Sequence, residues 1–291
     1  MKRNKPISDL GQEKTIELKH RAAFHEAGHA AGIYLNTKAR HLSPAFFKII
    51  FKEIHCVTEA GDTFRQTNPD NCIAQVQGGR LIECLPHSID SLVHELTERN
   101  DAMEQLVKDY MIAFEADIIN LLIGPLAEAK HIADIDDELF NHQLVNLKAL
   151  TNYGGISNLA LVNEYLQCFS VDKQNDKKLA ELFTEAFDFV NNDANWAAIT
   201  QLAGYILGSS CKNIISCEEI ILMLDQSLAN FKDRRTMARH HHNTWSKVTD
   251  QPIKISYGKN IRNAKCPSQA ELDSMSHSEK DALILILFDL L

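Results

Sequence analysis

The stretch Ala22-Ala23-Phe24-His25-Glu26-Ala27-Gly28-His29-Ala30-Ala31 decides how the rest of the chain is read. Around it, from about Thr15 to Leu35, apolar and small residues recur at helical spacing, so a helix is predicted there. Asn36 and the run Lys38–His41 end it. The alanines and Gly28 keep its surface slim, which suits close packing. Gly28 costs such a helix about 1 kcal/mol relative to alanine, so a close approach is expected to offset that cost.

His25 and His29 stand four residues apart, hence one turn apart on one helix face. Two imidazoles so placed can share a metal ion held by a rigid backbone. Glu26, directly after the first histidine, can polarise a water on that ion. Zinc lowers the pKa of a bound water to about 7, and a neighbouring glutamate can take its proton as a carbonyl is attacked. The chain has 13 His, and chance supplies an H-E-x-x-H pattern only about 0.04 times in such a sequence. The motif is therefore informative, and its plain alternative is a helix with two metal-free histidines.

The remaining sequence bounds the setting. At 291 residues with 45% hydrophobic content the chain can bury a large core. A formal charge of −9 argues against a general nucleic-acid binder, which needs surplus Lys and Arg. The seven cysteines are scattered singly with no C-x-x-C pair, which suits a reducing compartment and excludes a zinc finger built from adjacent thiolate pairs. No signal peptide follows the basic Met1–Pro6 segment, and the apolar runs read as too short to span a bilayer. A soluble, cytoplasmic protein is expected, although non-classical secretion or delivery into a host leaves no sequence trace.

The fold class predicted is mainly α, with a small β-sheet or hairpin near residues 45–85. Phe46–Phe51 and Ile54–Thr58 are β-compatible, and Ile73–Val76 and Arg80–Cys84 flank Gly78-Gly79 like a hairpin. A strand edge beside the histidine helix would let an extended peptide add itself as a further strand. Helices are expected at about 88–98, 102–132, 136–152, 158–169, 176–191, 195–208 and 217–232, and a short one near 281–290. Ser216 with Glu219 and Ser268 with Glu271 read as capping boxes. Residues 1–15 read as an N-terminal arm, 16–232 as the main domain, and 233–291 as a polar connector with a short C-terminal helical segment. Within it, Arg239-His240-His241-His242 reads as solvated rather than metal-binding.

The segment Ala23–Ala30 resembles the HEAGHA segment of the M41 peptidases, the protease domain of FtsH-type ATP-dependent zinc proteases. Leu122-Ile123-Gly124-Pro125-Leu126-Ala127-Glu128 resembles that family's L-x-G-x-x-A-E helix. The resemblance covers about residues 25–169 in disconnected blocks. It implies a helical metallopeptidase-like domain acting on a peptide or protein substrate, with zinc (Zn2+) held by His25, His29 and an aspartate from a later helix. Glu26 would be the catalytic general base or acid. The chain departs from the family in lacking any G-x-x-x-x-G-K-[ST] sequence, so no ATPase module is present. A homo-oligomer is compatible with this reading.

The third ligand is the second departure. In Gly154-Gly155-Ile156-Ser157-Asn158-Leu159, Asn158 stands where the resemblance expects the aspartate. Its amide oxygen can ligate zinc but brings no charge, and Asn is also an ordinary helix-cap residue. His142 is the leading alternative, and Glu128, Asp134, Asp136 and Asp137 follow. Glu128 reads better as a group orienting a ligand histidine through its other ring nitrogen. Two rival functions stay open: a degenerate metallopeptidase kept as a protein-binding module, and a metal hydrolase acting on something other than peptides.

Overall fold

The computed structural model describes residues 7–53, 72–86, 102–168, 172–209 and 212–249. The chain divides after Arg239 into two compact units. Of the second, only residues 240–249 are described, as helix. The first is mainly helical with a small three-stranded antiparallel sheet.

Helix α1, Ile7–Ala31, runs on through a π-helical turn, Gly32–Asn36, and a last turn, Thr37–Ala39. Strands β1, Phe47–Glu53, and β2, Cys72–Gly78, follow. The long helix α2 spans Ala102–Ile135. After a 3-10 turn at Ala149–Asn152 come α3, Ile156–Gln167, α4, Asp172–Asn191, and α5, Asp193–Gly208. A two-residue strand, β3, Ile214–Ile215, precedes α6, Cys217–Thr249.

The sheet order is β2-β1-β3, so among the described residues β2 is an edge strand. Phe47 and Ile49 of β1 are buried against the helices while Lys52, on the other parity, is exposed, as expected of a sheet with one covered face. Each such buried apolar side chain contributes about 1.5–3 kcal/mol. Two apolar clusters form the core. One joins α1 to the sheet, α5 and the start of α6; the other joins α2 to α3 and α4.

Helices α1 and α2 meet through their smallest residues, Gly28 against Ile123 and Ala127. A Cβ on Gly28 would lie 2.6 Å from that of Ala127 and 3.0 Å from the Ile123 carbonyl oxygen. The cost of glycine in a helix is thus offset by an approach that no other residue permits. Gln105–Ile135 has the length and hydropathy of a membrane-crossing helix, yet 67% of its most apolar window is buried within this protein. That burial is the mark of a central core helix.

Several expectations need correction. The arm at 1–15 is helical from Ile7 onward. Gly78-Gly79 does not join a hairpin, since β2 pairs with β1 and no strand forms at 80–84. There the N–H groups of Leu81 and Ile82 donate instead to the Asp117 carboxylate, which replaces a ladder partner. Residues 136–148 are turns rather than helix. Asn141 accepts from the N–H groups of Gln143 and Leu144, and Asn146 from those of Lys148 and Ala149, local bonds that compete with a helix. The connector expected from residue 233 is helical to Thr249. The capping box of Ser216 and Glu219 is present in both directions, at 3.3 and 3.0 Å. The expected segments at 54–58, 88–98, 268–271 and 281–290 lie outside the described residues.

Candidate functional site

His25, Glu26 and His29 of α1 line one cleft of about 250 Å³ together with Val76 and Gly78 of β2 and Asn158 of α3. Each histidine is fixed by its far nitrogen. His29 Nδ1 lies 2.9 Å from the Asn120 carbonyl oxygen, which can only accept, so the proton sits on Nδ1 and Nε2 carries a lone pair. His25 Nδ1 lies 3.0 Å from Glu128 Oε2. Burial alone would raise the Glu128 carboxyl, but His25 and Arg21 outweigh it and hold it below the ordinary range. The ionised carboxylate therefore accepts from His25 Nδ1–H.

The two Nε2 atoms are then aimed at each other, 3.1 Å apart. Facing lone pairs at that distance repel unless a proton or a cation lies between them. Zinc–nitrogen bonds of about 2.0–2.1 Å at a tetrahedral angle put two nitrogens about 3.3–3.4 Å apart, close to the observed spacing. Burial, with the neighbouring His25 imidazole second, pushes the His29 pKa down to about 3. His29 is thus neutral at physiological pH and available as a ligand.

Asn158 Nδ2 lies 3.0 Å from His29 Nε2. Turned by half a rotation, the same amide presents its oxygen at that point. Asn158 is the third residue of α3, whose N-cap is Gly155, so it does not serve as the cap. Among the described residues no group of three or more His, Cys, Asp and Glu side chains is arranged to hold a metal. The groups that meet there are two imidazoles and an amide, with a nitrogen spacing close to that of two imidazoles on one zinc ion.

Glu26 Oε2 accepts from the backbone N–H of Val76 at 2.6 Å. Burial raises its carboxyl pKa, opposed by His25 and by that N–H. A raised carboxyl beside a reacting centre is suited to taking and returning a proton.

The other candidates sit elsewhere. Glu128 stands behind His25 and is tied by Oε1 to Arg21 at 2.8 Å, in an orienting position. His142 stacks on Phe187 with centroids 3.7 Å apart. Asp134, Asp136 and Asp137 do not line the cleft. Residues that sequence reasoning missed include Asn120, whose carbonyl sets the His29 tautomer, and Arg21, which bonds both Glu128 and the Asn152 carbonyl. Gly154, with φ +68°, leaves room for His25 and Glu128; a Cβ there would lie 3.1 Å from each.

Compared with protein-family models, curated proteins and solved structures, the chain has no significant match.

Proposed function

We propose that this protein is a zinc metallopeptidase of M41-like type, acting without an ATPase of its own. The observation that carries the reading is the convergence of two imidazole Nε2 atoms, 3.1 Å apart, one residue from a carboxylate in a strand-edged cleft. His25 and His29 would hold zinc, with Asn158 as the third protein donor. Zinc there would supply a Lewis acid and an acidified water. Glu26 would take the proton on its carboxylate and pass it to the leaving amine. Glu128 and Asn120 would keep both rings aimed. The outer edge of β2 would orient an extended peptide through the backbone groups that Glu26 does not engage.

Elemental analysis of the purified chain should give one zinc per molecule. Glu26→Gln should keep that zinc and lose peptide hydrolysis by about 10²-fold or more. Full activity in that variant would sink the mechanism.

Asn158 favours a second reading, a degenerate peptidase retained as a protein-binding module. Its amide supplies no charge to a cation between neutral imidazoles. Asn158→Asp separates the two: gained zinc affinity together with new hydrolysis supports degeneration, whereas no change in affinity removes Asn158 from the ligand set.

A further inference from the structure

Arg80 follows the glycine pair that ends β2. Gly78 and Gly79 have φ of +84° and +88°, a left-handed turn that diverts the chain from the strand direction. Arg80 is exposed, and it lines the same cleft as Glu26, His29 and Asn158. Its Nε donates to the Tyr165 hydroxyl at 3.1 Å, and its guanidinium lies 5.2 Å over the Tyr165 ring. Tyr165 is fully buried and donates in turn to Asp117 at 2.8 Å. Asp117 also accepts from Leu81 N and Ile82 N, so the backbone just beyond Arg80 is anchored to α2.

Asp117, the carboxylate behind Tyr165, is therefore engaged by three other donors. Among the described residues Arg80 makes no ion pair, and its two Nη groups have no hydrogen-bond acceptor. One side of the guanidinium is held, and the residue lines the cleft with its two Nη groups uncommitted among the described residues. A cation so held has lost its freedom before any ligand arrives, and its planar fork matches a carboxylate with two parallel hydrogen bonds.

We infer that Arg80 is a specificity-determining residue, selecting peptides that carry a carboxylate a few residues from the point at Glu26 where the chain would be cut. This rests on the peptidase reading for its cleavage point, but not for binding. Val76, whose N–H meets Glu26, and Arg80 are four residues apart, about 13 Å at most for an extended chain. The carboxylate has two sources. A peptide antiparallel to β2 brings residues on its N-terminal side to Arg80, so a Glu or Asp side chain is recognised. A parallel peptide brings its C-terminal side, so a terminal carboxylate can serve as well.

The test is fluorescence anisotropy of the full chain with labelled octapeptides on one Ala/Ser framework. One arm scans a single Glu against Gln along the peptide; the other compares a free C-terminal carboxylate with its amide. At least one acidic peptide should bind about tenfold tighter than its neutral twin, a preference weakened by added salt. Arg80→Gln should erase the preference and Arg80→Lys should keep part of it, with circular dichroism melts checking that both fold. The arm that shows the preference identifies the source. Equal binding of acidic and neutral peptides by the unaltered protein overturns the proposal, as does binding of none, or a preference that survives in Arg80→Gln. Preference without hydrolysis or zinc would leave the subsite standing and remove the peptidase reading. Hydrolysis without preference would do the reverse.

Discussion

Glu26 and Val76, on different elements and 50 positions apart in sequence, are joined by a hydrogen bond of 2.6 Å from strand N–H to helix carboxylate. The register pairs Val76 with Ile49 of β1, and an N–H that meets Glu26 points away from that partner. The proton-handling residue proposed for the reaction thus touches the edge that would receive an extended peptide.

Val76→Pro removes that donor without taking a bond from the ladder, because proline is tolerated where the strand N–H faces outward. Stability measured by urea denaturation should change by about 1 kcal/mol at most. Peptide hydrolysis should fall about five- to tenfold, because Glu26 loses the N–H that orients its carboxylate. Collapse of the fold would show that the N–H belongs to the β1 ladder after all.

Gly124 faces His29 so closely that a Cβ would clash with the imidazole ring, 2.3 Å from its Nε2. Gly124→Ala should therefore destabilise the protein by about 1–3 kcal/mol through overpacking and weaken zinc binding by displacing the ring. Gly204 of α5 is the control, since a Cβ there meets nothing within 4 Å among the described residues. Gly204→Ala should leave zinc binding alone and stabilise the helix by about 0.5–1 kcal/mol. Thermal melts and zinc titration read both; equal effects at the two glycines would contradict the packing account.

Glu128→Gln keeps the shape behind His25 but removes the charge that holds its Nδ1 proton. Zinc affinity should drop about 10- to 100-fold, as for other groups that orient metal-binding histidines. Competition with a chromophoric chelator measures it, and unchanged affinity would separate Glu128 from the site.

Burial raises the Asp117 carboxyl above its ordinary 3.8, although the N–H groups of Leu81 and Ile82, the Tyr165 hydroxyl and Arg80 pull it down. The folded chain then holds this proton more tightly than the unfolded one. Its contribution to stability is complete below 3.8 and is lost as pH rises through the higher folded value. The stability of the unaltered protein relative to Asp117→Asn should accordingly be greatest in acid and decline upward from about pH 4. Urea denaturation across that range decides the sign, and a difference that grows with pH would mean the carboxyl is depressed instead.

Much of the fold was legible because it follows from local pattern. The helical period around His25, the apolar continuity of Ala102–Ile135 and the Ser216–Glu219 box each act over a few residues, and each element is present. The failures have local causes too. Asn141 and Asn146 bond their own backbones where a helix was expected, and Asp117 supplies from α2 the acceptor that a second hairpin strand would have provided. The π-helical turn at Gly32–Asn36 has no sequence signature. It brings the Asn36 amide within 2.9 Å of Asn120 Oδ1, a contact across 84 positions.

By itself, the sequence determined that His25 and His29 share a helix face, since a spacing of four on a 3.6-residue turn allows nothing else, with Glu26 directly after the first of them. It also determined that Gly28 could let another element approach the helix closely. Only the tertiary structure decided which groups stand behind each imidazole, that Asn158 rather than His142 reaches His29, and that the edge of β2 meets Glu26. The reason is physical: these contacts join side chains 50 to 129 positions apart, and their partners are chosen by how helices and sheet pack, not by the spacing along any one of them.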